Sequence, residues 1–491
     1  MSLIKKLAGQ TVIYGIGSIL PRVLNLIVLL PMLTRVFSDD RGEYGIHGIM
    51  YSFAGFVIMM MTFRMETALF RFGSKTEDLE KTFSTAFTSI FIISVIAISL
   101  IYWQSESIAG ILTKVEDQPY VKYIALICFF DILSALPFAR LRIENKAFKF
   151  SLIKMISVIL NISVLIFLLE LLPFLDLPWI SFQSDLQLAY VFIANVIGSA
   201  ATFLMLSGEI RKNRWSIDKI LFGKMFHYAY PLVIVGIAGL MSTILDRWLI
   251  NVYSIGTEEQ NETASGIYNA AVKFAVIMQL FTQAFNYASE PFFFKQAHTK
   301  DAQQTYADVA RAFTLVGSFA FLFILFYLDI LQLILGENFR GGLRVIPILL
   351  LAYLFLGLYY NFSVWYKIMD KTKVGAVIAV IGAMISISIN IYLIPKMGII
   401  ASAWAALAAF TSYAIMGYVA GRIYYPIPYR LDKILGMIGL AVGFYYLGEW
   451  LNNYFSLLLI SRLIINTLLL FIYCIIIWIW EKNFYKRILE S

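Results

Sequence analysis

Charged residues are scarce in this sequence. They make up 14% of its 491 residues, whereas 60% of the residues are hydrophobic. A soluble protein needs more charge than this to cover its surface, so the composition argues against a soluble domain. Apolar runs of about 20 residues recur from end to end, and each is long enough to cross about 30 Å of hydrocarbon. The sequence therefore predicts an all-α, polytopic membrane protein.

Cysteine is nearly absent, and the common cofactor motifs are missing. Cys128 and Cys474 both fall in predicted helices, which argues against a disulfide framework. The sequence has no Cys/His cluster with metal-ligand spacing and no GxxxxGKS/T phosphate loop, so we expect no metal, no other cofactor and no ATP hydrolysis by that route. The net charge of +8 lies in short loops between apolar runs, so we expect no nucleic-acid partner.

The apolar runs predict fourteen membrane-spanning helices, and the first is read as a permanent span because it is too long for a cleaved signal. Positive charges in the intervening loops alternate, with 26 Lys and Arg residues on one side and 5 on the other. The basic side of a membrane protein is cytoplasmic, so both termini are expected in the cytoplasm. The helices are predicted near 11–34, 43–67, 82–103, 120–141, 150–172, 187–207, 226–252, 265–289, 311–332, 343–365, 374–394, 399–421, 432–449 and 457–480.

Two echoes in the sequence indicate an internal repeat. EYGIHGIMYSF, residues 43–53, resembles ASGIYNAAVKF, residues 264–274, and SVILNIS, residues 157–163, resembles SISINIY, residues 386–392. Each echo is displaced by six helices, which predicts two six-helix lobes in parallel repeat around a central cavity. The predicted parts are an N-lobe over 1–211, a C-lobe over 212–424 that starts with an interfacial linker helix near 210–224, and helices 13 and 14 over 425–491.

Arg22 is a permanent charge near the middle of the first predicted span, close to Asn25. A charge at this depth costs roughly 3 kcal/mol or more and usually faces a bundle interior or a wet cavity. Asp131 lies at a similar depth in the fourth span, so Arg22 either pairs with Asp131 as a structural contact or serves a ligand in the cavity. We treat Arg22 and Asn25 as candidate substrate-binding residues and Asp131 as a charge partner.

Further intramembrane charges lie in the second, seventh and eighth predicted spans. Arg64 and Glu66 are either interfacial charges that reach water or part of the cavity. Asp246 and Arg247 are adjacent, so their side chains point about 100° apart on a helix. A pairing of Asp246 with Lys273 would leave Arg247 free to face the cavity. The alternative is that these charges have a purely structural role. Arg64, Arg247 and Lys273 join the substrate-binding candidates, with Glu66 and Asp246 as charge partners.

Several motifs together resemble one family of transporters. They are LTRVFSDDRGEYG (33–45), METALFRF (65–72), PFARLRIENKAFKF (137–150), YAYPL (228–232) and NIYLIPKMGIIASAWA (390–405). The chain resembles the polysaccharide-transporter branch, or Wzx-type flippases, of the multidrug/oligosaccharidyl-lipid/polysaccharide exporter superfamily. The resemblance implies two six-helix lobes around a cavity and two extra helices. It also implies a location in the bacterial inner membrane and movement of lipid-linked oligosaccharides across it. Arg64 stands where the family pattern has glycine before MET.

The leading hypothesis is a flippase for undecaprenyl-diphosphate-linked oligosaccharide in O-antigen, capsule or exopolysaccharide synthesis, and not an enzyme. Its expected partners are that substrate and the membrane lipids, a coupling H⁺ or Na⁺, and a polysaccharide polymerase with glycosyltransferases. A multidrug or cation antiporter would need more membrane carboxylates than this chain has, and a peptidoglycan lipid flippase is a closer alternative. A membrane glycosyl polymerase or ligase would need larger external loops than about 15 residues.

Overall fold

The computed structural model describes the chain between residues 20 and 490 with short gaps. The described residues are 20–21, 23–73, 79–144, 146–175, 182–211, 213–242, 245–296, 301–369, 371–455 and 458–490. All regular structure within these ranges is helical. The predicted all-α, polytopic fold class is therefore confirmed.

Seventeen α-helices of seven or more residues, the first of which begins with a π-helical turn, follow one another along the described chain. They are α1 (Asn25–Val36), α2 (Arg41–Thr62), α3 (Met65–Gly73), α4 (Leu79–Trp103), α5 (Ser105–Leu112), α6 (Gln118–Ile143), α7 (Ala147–Ile166), α8 (Gln187–Met205), α9 (Lys219–Met241), α10 (Leu245–Tyr253), α11 (Glu258–Gln296), α12 (Ala302–Phe326), α13 (Ile346–Phe362), α14 (Thr372–Met397), α15 (Ile399–Tyr424), α16 (Leu431–Tyr454) and α17 (Leu459–Glu490).

Thirteen helical segments are long and apolar enough to cross a membrane, and they correspond to the second to fourteenth predicted spans. Much of the first predicted span lies outside the described residues, and its described end is α1. The seventh predicted span, 226–252, is not one helix, because α9 ends at Met241 and α10 begins at Leu245. The eighth is longer than predicted, since α11 runs from Glu258 to Gln296.

Contacts divide the described chain into two compact units. The first holds the described residues up to Ala270 together with Ala379–Ser402, and the second holds Ala271–Ile378 with the described residues from Ala403. These two units are defined by contacts in one conformation. The predicted lobes and C-terminal helices, 1–211, 212–424 and 425–491, are defined instead by segments that repeat in the sequence. Those boundaries therefore stay a prediction.

Helix α6 is the centre of the first unit and contacts α2, α3, α4, α5, α7 and α8. Its side chains are apolar around most of its circumference, which is typical of a helix that is surrounded by others. Ile124, Cys128 and Ile132 are all fully buried, one turn apart along the helix. The surrounding helices pack against this buried helix.

The first echo in the sequence forms a helix contact within the first unit. A Cβ atom on Gly45 of α2 would lie 2.3 Å from the carbonyl oxygen of Glu262 and 2.9 Å from the backbone nitrogen of Gly266. A Cβ atom on Gly266 of α11 would lie 2.0 Å from the carbonyl oxygen of Arg41 and 3.0 Å from the backbone nitrogen of Gly45. The aligned glycines of the two echoes thus face each other, and the helices touch through their backbones.

The second echo places matching polar side chains between consecutive helices of the first unit. Ser157 and Asn161 on α7 face α8, where Thr202 donates a hydrogen bond of 2.7 Å to the Ser157 hydroxyl. At the matching position on α14, Asn390 accepts a hydrogen bond of 2.7 Å from Ser402 of α15. In each copy, one polar side chain of the echo therefore accepts a hydrogen bond from the following helix, Ser157 in the first copy and Asn390 in the second.

The predicted linker helix near 210–224 is wrong for residues 213–218, which are not helical. This segment lies along α4, whose Ser84 and Thr85 hydroxyls accept hydrogen bonds from the backbone N–H groups of Arg214 (2.9 Å) and Asp218 (3.2 Å). The hydrogen bond from Lys81 to Asp218 lowers the pKa of that carboxyl below its ordinary value. Helix α9 begins only at Lys219, because side chains of α4 already bond the backbone groups that a helix would use.

The C-terminal helices α16 and α17 are held to α12 within the second unit. Arg311 of α12 pairs with the fully buried Glu481 of α17, and Lys433 of α16 lies 3.5 Å from the same carboxylate. Further along α17, Tyr473 donates a hydrogen bond of 2.8 Å to Ser318. Polar contacts thus join α17 to α12 at more than one depth.

Candidate functional site

The second membrane span is interrupted at Phe63 and Arg64, between α2 and α3. Both residues have left-handed backbone angles, with φ of 47° and 53°. Residues with a Cβ atom rarely adopt these backbone angles, and each such residue costs of order 1–3 kcal/mol of folding free energy. Surrounding structure must therefore hold the break in place, and strain of this kind is concentrated at functional sites.

The break directs the Arg64 side chain onto α9. A Cβ atom on Gly236 would lie 2.7 Å from the Met59 sulfur and 3.0 Å from Nη2 of Arg64, so the glycine leaves the space that the guanidinium occupies. The Arg64 Nε atom is buried and has no hydrogen-bond partner within the described ranges. No carboxylate in the described part of the chain lies within ion-pair distance of Arg64. Among the described residues, Arg64 is therefore a partly buried cation without a direct counter-ion.

Glu66, two residues after Arg64, lies in a positive environment. The charges that act on it come from Arg64, Arg142 and Lys154. Asp131 of α6 is hydrogen-bonded to Ser199 and also feels the charge of Lys154. Lys154 therefore acts on both predicted charge partners, Glu66 and Asp131, whereas Arg64 and Arg142 act on Glu66.

Arg247, predicted to face a cavity, is held in a polar network at the start of α10. Its Nε atom donates a hydrogen bond of 3.0 Å to Asn269, and its Nη1 atom lies 3.5 Å from the Asp246 carboxylate. Tyr268 donates a hydrogen bond of 2.6 Å to the other Asp246 oxygen, and Ser265 bonds the Arg247 carbonyl. Arg247 and Asp246 thus contribute to the contact between α10 and α11.

Two further predicted site residues lie on other helices. Asn25 is exposed on α1, and Lys273 is partly buried on α11. Arg22 lies outside the residues that the structure describes. The pairing of Asp246 with Lys273 and the substrate-binding roles of all five candidates stay predictions.

Arg140 is a buried residue whose importance the sequence analysis missed, because it was counted among the loop charges. It is 1% exposed, pairs with Glu80, and contacts Glu144 at 2.7 Å and Glu209 at 3.6 Å. The sequence contains one signal for this network, the four-residue spacing of Arg140 and Glu144 on a helix. The other two contacts join α6 to α4 and to the short helix after α8, and they depend on the tertiary structure.

The acidic, histidine and cysteine side chains of the described residues form no group of three that could hold a metal ion. The features that the chain offers to a ligand are therefore the charges named above. Fixed guanidinium groups in a low-dielectric region bind phosphate oxygens well, because their forked donors match the geometry of phosphate.

Comparisons with known proteins bear on what these charges could bind. A family model described as polysaccharide biosynthesis protein matches residues 32–344, more than half of the chain. The solved structure of the lipid II flippase MurJ in an inward closed conformation is similar, with a TM-score of 0.72 and 15% identity over 96% of this chain and 100% of that chain. A multidrug resistance MATE family transporter of the MOP superfamily, in an inward-facing conformation, has a TM-score of 0.62 and 11% identity over 84% of this chain and 98% of that chain. No curated protein sequence matches. At these identities the structural likeness shows a shared fold.

Proposed function

Starting from the fact that the chain belongs to the polysaccharide biosynthesis protein family, we propose that it is a flippase for a lipid-linked oligosaccharide. The family resemblance read from the sequence motifs is confirmed by that match. The proposed substrate is an undecaprenyl-diphosphate-linked oligosaccharide of O-antigen, capsule or exopolysaccharide synthesis. Its diphosphate is anionic, its glycan is polar and its tail can stay in the bilayer while the head crosses.

The observation that carries the proposal is Arg64 at the left-handed break, which has no direct counter-ion within the described ranges. A permanent charge within a membrane span is costly, so one without a direct counter-ion suits an anionic ligand. Gly236 leaves the space that the guanidinium occupies, and Arg142 and Lys154 add positive charge at Glu66, two residues away. A diphosphate would supply the missing negative charge. Arg22 is the second candidate for this role, on the sequence evidence alone.

The proposed orientation places both termini in the cytoplasm, which puts α3 near the cytoplasmic side and the first residues of α2 at the outer side. Its basis is the asymmetry of Lys and Arg in the loops. The proposed location is the bacterial inner membrane. Transport of this kind needs no catalytic residues.

The multidrug antiport alternative is less favoured by the charges. Organic cations need carboxylates, whereas the charges acting on Glu66 are three cations. A peptidoglycan lipid flippase would use the same diphosphate chemistry, so the difference between the two flippases lies in the glycan. Deleting the gene separates them: loss of a surface polysaccharide with normal growth supports the proposal, whereas arrest of wall synthesis supports the peptidoglycan alternative, and drug sensitivity alone supports antiport.

Substitutions at Arg64 test the role of its charge. Arg64→Asn removes the charge but keeps a residue that tolerates left-handed backbone angles. Arg64→Lys keeps the charge but loses the forked donor. We expect the Asn variant to lose surface polysaccharide and to accumulate the lipid-linked precursor in the inner leaflet, and the Lys variant to retain part of the activity.

The control is Arg430→Asn, which removes an exposed arginine paired with Asp432. This variant should keep the full level of surface polysaccharide. Protein level in the membrane is measured for all three variants, so that loss of transport is not confused with loss of the protein. Normal polysaccharide in the Arg64→Asn variant at an equal protein level would contradict the proposed site.

A further inference from the structure

A buried ion pair joins two distant segments of the first unit. The Nζ atom of Lys114 lies 2.8 Å from Oε2 of Glu262, although the residues are 148 positions apart in the sequence. Glu262 is 3% exposed and sits in the first turns of α11, whereas Lys114 lies between α5 and α6 and is about one third exposed at its side chain. In the proposed orientation, this pair lies at the outer end of the unit.

The pair lies beside the glycine contact between α2 and α11. A Cβ atom on Gly42 would be 3.6 Å from the Glu262 oxygen that Lys114 binds, and Gly45 faces Gly266 one turn further along α2. Glycines bury little apolar surface, so this contact gains little from the hydrophobic effect. The hydrogen bond from Asn269 to the Tyr44 carbonyl is long, at 3.3 Å. The ion pair adds a charge attraction that holds α11 at this end of the unit.

Carboxylates outnumber cations around Glu262. Asp117 and Glu258 both act on it electrostatically, and the second Glu262 oxygen, Oε1, is buried without a hydrogen-bond partner in the described part of the molecule. Burial lowers the pKa of Lys114, but its hydrogen bond to Glu262 and the nearby carboxylates outweigh this and raise its pKa overall. Lys114 thus stays charged, and Glu262 is the partner that a proton can neutralise. The charged groups of the neighbouring segments are Asp40, Arg41, Glu43, Glu116, Asp117, Asp246, Arg247 and Glu258.

We propose that the Lys114–Glu262 pair is a latch that holds α11 against the segment between α5 and α6, beside the glycine contact of α11 with α2, and that a proton from the outer side opens it by binding Glu262. Proton binding converts the carboxylate to a neutral acid, so the attraction to Lys114 falls to that between a cation and a neutral acceptor. Loss of this attraction weakens the hold on the outer end of α11, where the glycine contact and the Asn269 hydrogen bond remain. This inference deepens the proposed function and rests on its orientation, and it names H⁺ as the ion that acts on this end of the protein.

Labelling of a buried cysteine tests the latch. Cys128 and Cys474 are first replaced by alanine, and Ser265→Cys is introduced at a fully buried position between α10 and α11. A membrane-impermeant thiol reagent is added to intact cells, and the rate is divided by that of Thr257→Cys, an exposed position at the same end. We expect Glu262→Gln and Lys114→Gln each to raise this relative rate by about tenfold or more, because either change removes the buried pair.

Acidification should have the same effect as Glu262→Gln. In the background with both latch residues, lowering the medium from about pH 7.5 to about pH 5.5 should raise the relative rate, and in the Glu262→Gln variant the relative rate should no longer respond. Dividing by the Thr257→Cys rate at each pH corrects for the ionisation of the thiol itself. A relative rate that stays low in both latch variants, or that does not respond to pH, overturns the proposal.

Two controls keep the result specific. Glu170→Gln breaks the exposed pair between Arg35 and Glu170 and should leave the Ser265→Cys rate unchanged. Thr314→Cys, fully buried in the second unit, should stay unlabelled in every background, which shows that the variants remain folded. Surface polysaccharide is measured separately: if labelling behaves as expected while the polysaccharide does not depend on this chain, the latch stands and the proposed substrate fails.

Discussion

Replacing Gly45 by alanine tests the contact between α2 and α11, where the two copies of the first echo meet. The added Cβ atom would lie 2.3 Å from the Glu262 carbonyl oxygen, whereas ordinary contacts begin near 3.4 Å. The helices must therefore move apart by about 1 Å, because the obstructing atoms belong to the backbone and have no rotamer to change. The hydrogen bond of 3.3 Å from Asn269 to the Tyr44 carbonyl cannot survive such a shift.

The expected cost follows from these two effects. Overpacking costs about 1–3 kcal/mol, and backbone on the opposing side puts this site near 3 kcal/mol. Alanine is better than glycine in a helix by about 1 kcal/mol, which leaves a net destabilisation of about 2 kcal/mol. Gly439→Ala in α16 is the matched control, since its Cβ atom would meet nothing within 4 Å and only the helix preference remains.

The assay is thermal unfolding of the purified protein in detergent, followed by the loss of monodisperse protein on size exclusion. Gly45→Ala should unfold at a lower temperature than the unsubstituted protein, and Gly439→Ala at the same or a higher temperature. If Gly45→Ala unfolds at or above the temperature of Gly439→Ala, then α2 and α11 do not touch through their backbones as described.

Two further predictions concern the buried arginine and the topology. Arg140→Ala removes the cation that Glu80, Glu144 and Glu209 share, and it should cost about 3–5 kcal/mol of folding free energy, seen as loss of folded protein. Arg142→Ala, at an exposed neighbouring position, should leave the yield of folded protein unchanged. Equal yields of the two variants would refute the network. For the topology, single cysteines at the exposed positions Thr257 and Asn453 should label from outside the cell and one at Ser216 should not. The neighbouring positions Asn213 and Asn452 are poor probes because both are buried. Labelling of Ser216→Cys in intact cells would contradict the proposed orientation.

The sequence alone was sufficient for the all-α, polytopic fold class and for the approximate positions of thirteen spans. These features depend on local properties, because an apolar run long enough to cross the bilayer has few structural alternatives. The echoes also predicted which residues would match: Gly45 with Gly266, and Asn161 with Asn390. What the sequence did not contain was that the first pair would touch each other while the second pair would each face a following helix.

The contacts of the charges were decided by the tertiary structure. Arg140 and Arg311 look like loop charges along the sequence, yet both are buried against carboxylates that other helices supply. The break at Phe63 and Arg64 contains no glycine or proline from which it could be predicted. The linker at 213–218 is non-helical because side chains of α4 accept hydrogen bonds from its backbone. Lys114 and Glu262 meet across 148 residues. Hydropathy is summed over neighbours in the chain, whereas an ion pair depends on which helices lie side by side, so burial of a charge is visible only once the helices are packed.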